Sequence, residues 1–128
     1  MGAHTVDLDE LIGDLRPRLQ EWTDAGLVVG QITWSSESQP GLTLDRGSVQ
    51  EPWAFGFQCF RFVDAWDLFA WARVVVFHYG YADFDWFAGG SDYTSEAPMV
   101  EDSMMFRKLL DRVQEKLLPI EGKTSAEH

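Results

Sequence analysis

The sequence contains a single cysteine, few basic residues and no long apolar stretch. Cys59 alone excludes an internal disulfide framework and a zinc site built from several cysteines. Ten Lys and Arg stand against 21 Asp and Glu, which gives a formal charge of −11. Nucleic acids and anionic membrane surfaces attract basic proteins. We therefore expect neither a nucleic-acid partner nor a membrane partner.

Signals for export or membrane insertion are also missing from the sequence. The N-terminal residues MGAHTVDLDEL carry acids where a signal peptide carries bases followed by an apolar run. No stretch reaches the roughly 18 uncharged apolar residues that a membrane-spanning helix needs. These features, together with the free Cys59, favour a cytoplasmic location.

Hydrophobic residues are abundant despite the high charge. They make up 45% of the 128 residues, and 14% of all residues are aromatic. A disordered acidic chain would contain far fewer aromatic residues. The sequence therefore predicts one domain over 1–128 with a single core, ending in a loose tail at about 120–128.

An amphipathic helix is predicted near the N-terminus, because apolar residues recur every three or four positions between Leu8 and Trp22. Asp7 is a suitable N-cap, and Glu10 completes the spacing of a capping box. Pro17 lies inside this stretch and removes a backbone donor. We therefore expect a kink there or a division into two short helices.

A second helix is predicted over 106–117, where the apolar spacing is the same. Pro98 would lie near its first turn, with Ser95 or Glu96 as the N-cap. Acids cluster before this stretch and bases lie toward its end, an order that complements the helix dipole.

Between the helices the chain alternates strand-like segments with turns. The residues 89–98 are predicted to form a loop. Short connections force neighbouring strands to run antiparallel. We therefore predict an α+β fold, in which an N-terminal and a C-terminal helix flank one face of a single antiparallel meander sheet of about five strands. The strand-like segments are 28–34, 42–44, 53–63, 68–77 and 81–86.

Cys59 lies among phenylalanines in the third of these segments. Phe55 and Phe57 share one face and Phe60 and Phe62 the other, which indicates a bulge near Cys59 or a strand buried on both faces. Apolar surroundings raise the pKa of a thiol and make it unreactive. We predict a structural cysteine rather than a nucleophile.

No motif for metal binding, cofactor binding or nucleophilic catalysis stands out. The three histidines do not have the spacing of a ligand pair, and His78 is expected to be a turn residue beside Gly80. Asp83 and Asp85 are not followed by the remaining ligands of a calcium loop. Neither a nucleophile elbow nor a phosphate-binding loop is present. The sequence predicts no metal and no cofactor, and it leaves open a catalytic site assembled from distant residues.

The segment 74–106 has six acids and no Lys or Arg. Aromatic residues are interleaved with these acids, an arrangement that suits a basic protein partner. Strand alternation places Asp83 and Asp85 on one face and Trp86 on the other. Two alternative roles for these aspartates are acid–base chemistry and solvation of the sheet surface. The candidate partner-binding residues are Asp83, Asp85, Asp92, Glu96, Tyr93 and Trp86.

Two consecutive stretches resemble a known family. WARVVVFHYGYADFDWF (71–87) and the following SDYTSEAPMVEDSMMFRKLL are similar to the final hairpin and C-terminal helix of the YezG-like immunity proteins of bacterial polymorphic toxin systems. This resemblance implies a non-catalytic antidote that binds and blocks a toxin domain, often a nuclease. A nuclease is basic where it meets nucleic acid, so an acidic inhibitor would complement it.

The alternative is a small-molecule-binding or cyclase-like α+β domain. In that case the sheet would enclose a hydrophobic ligand, and His78 or Asp83 would be the acid–base group. A cavity of several hundred Å³ under the sheet would favour this reading, whereas a filled core with a flat acidic face would favour a binding protein. A homodimer formed through the sheet edge is a third possibility. The expected cavity lining is Trp53, Phe55, Trp71 and Phe77.

Overall fold

The fold is an antiparallel sheet with a helix before it and a helix after it in the chain. The structure is a computed structural model that describes residues 6–36, 43–44, 52–64, 67–89 and 92–118. These residues form helices α1 (Leu8–Asp24) and α2 (Ser103–Leu117), and the predicted α+β class is confirmed. The strands are β1 (Val28–Val29), β2 (Thr33–Ser35), β3 (Ala54–Phe62), β4 (Leu68–Phe77), β5 (Tyr81–Ala88) and β6 (Thr94–Glu96).

The strands β3, β4, β5 and β6 are antiparallel neighbours in chain order, so the predicted meander is confirmed. Both β1 and β2 pair with the other edge of β3. The turn at 78–80 joins β4 to β5. Gly80 in this turn has a positive φ, a conformation that glycine adopts readily. Within the described ranges, no helix is long and apolar enough to cross a membrane.

The first predicted strand, 28–34, is divided in two. Val29 pairs with Cys59 and Thr33 with Gly56, so the three residues 30–32 lie opposite only two residues of β3. The extra residue is a β-bulge. For β3 the sequence predicted either a bulge near Cys59 or a strand buried on both faces. The paired register runs without a shift through Cys59 and shifts between Arg61 and Phe62, and the four residues 54–57 are all buried.

Both helices pack on one face of the sheet, and their buried side chains join those of the strands in one hydrophobic core. Alternate residues of β3 point into this core, where Phe55 contacts Phe106 and Phe57 contacts Trp22 at ring-centroid distances of 5.9 and 6.4 Å. The predicted apolar stripes of both helices are buried there, except for Leu19, which is only partly buried. On this side a pocket of about 290 Å³ lies beside α1, lined by Arg16 and Leu19 of the helix and by Ile32 and Trp34 among others.

The N-terminal helix is continuous through Pro17, so of the two alternatives, a kink or a division into two short helices, the division is excluded. Pro17 and Gly13 are both exposed, and water can reach the Gly13 carbonyl that lacks a partner. Asp7 is the N-cap as predicted, and its Oδ1 accepts hydrogen bonds from two backbone amides of the first turn. The carboxylate of Glu10 instead accepts a hydrogen bond from Ser103 of α2.

The start of α2 differs from the prediction. Asp102 is its N-cap and accepts a 2.8 Å hydrogen bond from the amide of Met105. The expected caps, Ser95 and Glu96, lie in β6, a strand formed within the predicted loop 89–98. A strand as short as β6 has little strand propensity of its own, and its pairing with β5 stabilises it.

Two predicted segments lie wholly or partly outside the described residues. Of the predicted strand 42–44, residues 43 and 44 are described, and Thr43 forms a single antiparallel bridge with Trp34. The predicted tail at about 120–128 lies outside the described residues.

Candidate functional site

The sheet has a second face on which neither helix packs. We call it the open face, and its side chains alternate with the core positions of the central strands. The open face combines aromatic side chains with a few charged and polar groups. Across β3, β4 and β5 the open face consists of Gly56, Gln58, Phe60, Trp71, Arg73, Val75, Phe77, Tyr81, Asp83, Asp85 and Phe87.

One aromatic cluster lies toward the β6 side of the open face. Trp71 stacks on Tyr93 at 5.9 Å and contacts Phe87 at the same centroid distance. The indole Nε1 of Trp71 donates a 3.0 Å hydrogen bond to Gln58, which fixes the ring orientation. Tyr93 is nevertheless 58% exposed. These rings form an ordered and accessible aromatic platform.

A second aromatic cluster lies where β4 turns into β5. Phe77 and Tyr81 are stacked with centroids 4.9 Å apart, and Tyr79 lies 6.5 Å from Tyr81. His78 occupies the turn, as predicted, and its ring lies 4.1 Å from that of Tyr79. Both tyrosines are exposed. The open face is therefore aromatic at both ends.

Asp85 lies between the clusters and is already paired. It is only 6% exposed, and its Oδ2 lies 2.7 Å from Nη2 of Arg73 while its Oδ1 accepts a 2.7 Å hydrogen bond from Ser95. Burial alone would raise the pKa of Asp85. The bonds from Ser95 and Arg73 and the charge of Arg73 outweigh burial, and the pKa is lowered. Asp85 therefore stays ionised and satisfied within the chain.

Asp83 shares the open face with Asp85 but not its partners. It is exposed and lies directly opposite Val75, an apolar neighbour. Among the described residues, none forms a hydrogen bond or ion pair with the Asp83 carboxylate. This carboxylate is available to a ligand outside the chain.

Trp86 and Glu96 lie on the helix-bearing face. The indole of Trp86 donates a 3.3 Å hydrogen bond to Glu96, and Lys116 lies 4.4 Å above the indole ring. Arg112 pairs with Glu96 at 2.6 Å, and this bond is the main cause of the lowered pKa of Glu96. The prediction that Trp86 and the aspartates face opposite ways is confirmed.

The six predicted site residues are thus not brought onto one surface. Asp83 and Asp85 lie on the open face, Tyr93 stacks at its border, and Asp92 is exposed just before Tyr93. Trp86 and Glu96 make contacts within the chain on the helix-bearing face. The basic residues that form ion pairs with acids of the segment 74–106 lie outside this segment. They are Arg73 on the neighbouring strand and Arg112 of α2.

A groove crosses the open face beside the bulge. Thr33, Gly56, Val75 and Asp83 are successive cross-strand partners over four strands, and all but Asp83 line a groove of about 520 Å³. A Cβ on Gly56 would lie 3.2 Å from Thr33 Oγ1 and 3.3 Å from a backbone oxygen. Glycine lets the neighbouring side chains converge over the groove floor.

This groove differs from the cavity expected for a small-molecule enzyme. It lies on the open face rather than between the sheet and the helices, where the described apolar side chains form one hydrophobic cluster and a smaller pocket of about 290 Å³ lies beside α1. Of the predicted lining residues only Phe55 borders it, and the Phe55 side chain is buried in the core. Neither His78 nor Asp83 is among its lining residues.

Trp71 of the open face was expected to line a cavity rather than to bind a partner, although the sequence carries a signal for its position. Strand β4 has apolar residues on both faces, with Ala72 and Val74 toward the core and Trp71 and Val75 away from it. Two helices on one side leave the other apolar side uncovered. Apolar residues on both faces of a strand in such a fold indicate an exposed apolar face.

The described residues offer no metal centre and no reactive thiol. Within the described ranges, no three His, Cys, Asp or Glu side chains are grouped so that they could hold a metal ion. Cys59 is buried in the core, and burial raises the pKa of its thiol to about 12.

Comparisons of the chain with protein-family models, with curated proteins and with solved structures find no match. The geometry of the open face is therefore the basis on which a function is inferred.

Proposed function

We propose that the chain is a non-catalytic binding protein that holds a basic protein partner against the open face of its sheet, as an immunity protein or another inhibitor holds a toxin domain. One observation carries the proposal. Two exposed aromatic clusters lie on the same sheet face as the carboxylate of Asp83, which has no partner among the described residues, and neither helix covers that face.

The aromatic clusters supply the contact area. Contiguous exposed apolar surface in a soluble domain marks an interaction site, because water is excluded from it on binding. Tyr and Trp carry a large share of the energy at protein interfaces. The stacking of Trp71 with Tyr93 orders both rings in advance, so little side-chain freedom is lost on binding.

Charge selects the partner. The chain carries a formal charge of −11, and the carboxylate of Asp83 stands without a partner among the described side chains of the open face. A negative field accelerates the approach of a positive surface and repels acidic proteins. A nuclease toxin has such a positive surface where it meets nucleic acid, which supports the inhibitor proposal.

A small hydrophobic ligand is the second candidate, favoured by the groove of about 520 Å³. This volume lies within the range of small-molecule sites. The acid–base groups expected for an enzyme, His78 and Asp83, are not among the groove lining, so this candidate is a binding role without catalysis.

Capture from the source organism tests the proposal. The baits are the wild-type chain, Tyr93→Ala on the open face, and Met104→Ala on α2 as a control, since both side chains are 58% exposed. We expect the wild type and Met104→Ala to retain one stoichiometric basic protein, identified by mass spectrometry, and Tyr93→Ala to retain less. Equal retention by all three baits, or retention of no basic protein, contradicts the proposal.

A further inference from the structure

We infer that the partner segment places an apolar side chain in the groove over Gly56 and a lysine or arginine side chain on Asp83. The inference rests on the proposed function and specifies the chemistry that the open face recognises. It follows from the juxtaposition, in one cross-strand row, of an apolar groove and the Asp83 carboxylate, for which the described residues provide no partner.

The row fixes the distance between the two positions. Gly56 pairs with Val75, and Val75 pairs with Asp83, so the two ends are two strand spacings apart. Neighbouring strands are separated by about 4.8 Å, which puts the two Cα atoms about 10 Å apart. Two side chains on one short segment can span that distance, particularly when one of them is a long basic side chain.

The Gly56 end suits an apolar side chain. Gly56 contributes no side chain, and the Thr33 hydroxyl and a Val75 methyl lie close over it, so the apolar side chain rests on Val75 and Phe60, which border the groove with aliphatic and aromatic surface. Thr33 and Gln58 add a hydroxyl and an amide without any charge. Among the described lining residues, the one charged group is Arg73, which is already bonded to Asp85 and does not require an anion there.

The Asp83 end suits a cation. Its carboxylate is exposed, and the arginine on the adjacent strand is bonded to Asp85 instead. Tyr81 precedes Asp83 by two residues on the same face, so its ring lies within reach of a cation bound to the carboxylate. A carboxylate beside an aromatic face is a general arrangement for binding lysine or arginine.

Charge decides between a partner protein and a second copy of this chain. Two copies meeting through their open faces would bring both Asp83 carboxylates and two formal charges of −11 together. Repulsion of that size opposes self-association. A segment of opposite charge meets no such penalty, so the occupant is a basic segment of another protein.

Three capped tripeptides serve as probes in an NMR titration of the ¹⁵N-labelled chain: Ac-Trp-Gly-Arg-NH2, the same peptide with citrulline in place of arginine, and Ac-Ala-Gly-Arg-NH2. Citrulline keeps the shape of arginine and removes its charge. We expect the first peptide to perturb the amides of Gly56, Val75 and Asp83. It should bind about threefold more tightly than the citrulline peptide and about tenfold more tightly than the alanine peptide.

Variants of the chain identify the carboxylate. Asp83→Asn should abolish the difference between arginine and citrulline, and the control Glu21→Gln on exposed α1 surface should preserve it. Equal binding of the three peptides, perturbation confined to the helix-bearing face, or an unchanged arginine preference in Asp83→Asn overturns the inference. Concentration-dependent perturbation of the same amides without peptide would identify a second copy as the occupant and overturn it too.

The two proposals fail separately. If the peptides show no preference while Tyr93→Ala still loses the captured partner, the inference about the groove is wrong and the proposed function stands. If Tyr93→Ala keeps the partner, the proposed function is wrong whatever the peptides do.

Discussion

Arg73 of β4 lies directly opposite Asp85 of β5, with Nη2 of the guanidinium 2.7 Å from Oδ2 of the carboxylate. This pair separates the roles of two aspartates that the sequence treats alike. Asp85 is bonded within the sheet, whereas Asp83, two residues away on the same face, is exposed. We expect Asp85 to matter for stability and Asp83 for binding.

Asp83→Asn should slow association with a basic partner and reduce the dependence of the association rate on salt, because the variant removes an exposed charge that steers the encounter. Its free energy of unfolding should change little. Stopped-flow kinetics at low and high ionic strength measure this, with Glu21→Gln as the control that removes one charge elsewhere. Identical association rates for Asp83→Asn and Glu21→Gln would contradict the assignment.

Asp85→Asn should lower the free energy of unfolding by about 1–2 kcal/mol, because Arg73 loses its charged partner. The lowered pKa of Asp85 means that the unfolded chain takes up its proton first as pH falls. The stability that this carboxylate contributes is thus present above its ordinary pKa, about 4, and is lost as pH falls through the lower folded value.

Chemical denaturation between about pH 5 and pH 2 checks this dependence. The wild type should lose more stability over that interval than Asp85→Asn. Glu96 has a lowered pKa in both proteins, so it contributes equally to the loss of stability of each as the pH falls. Parallel stability curves for the two proteins would show that the Arg73–Asp85 pair does not stabilise the fold.

Leu109→Ala should lower the free energy of unfolding by about 2–5 kcal/mol, the usual range for a buried leucine. Leu109 is 3% exposed on the face of α2 that packs against the core. Met104→Ala, on the exposed side of the same helix, should change it by less than about 0.5 kcal/mol. Urea denaturation of both variants makes the comparison, and similar losses would mean that α2 is not docked through Leu109.

Cys59 should react slowly with a thiol reagent in the native chain and rapidly after unfolding, because burial raises its pKa to about 12 and shields the sulfur. Absorbance of a chromogenic disulfide reagent follows the reaction with and without denaturant. Rapid labelling of the native chain would restore Cys59 as a candidate nucleophile.

The sequence predicts those elements whose pattern is local. The apolar spacing of α1 and α2 and the composition of β4 and β5 are sufficient for the fold class and the meander. Strand β6 was missed because it depends on pairing with β5. The N-cap of α2 was missed because several acids precede this helix, and the sequence does not show that Asp102 is the one that caps it. Such choices are made by tertiary contacts rather than by propensity.

The candidate site was predictable in part for the same reason. Alternation along β5 correctly separates Trp86 from Asp83 and Asp85. The pairing of Glu96 with Arg112 joins residues 16 positions apart that meet only because α2 folds back over the sheet. A sequence shows a stretch without bases, but it does not show which distant bases the fold brings to that stretch.

The dissociation constant of the purified complex in two variants tests the central claim most directly. The claim predicts that Tyr93→Ala weakens binding of the basic partner by about 2 kcal/mol, roughly 30-fold, because it removes an exposed ring of the open face. Met104→Ala removes an equally exposed side chain from α2 and should leave the constant unchanged. Equal dissociation constants for the two variants, both folded, would show that the open face is not where the partner binds.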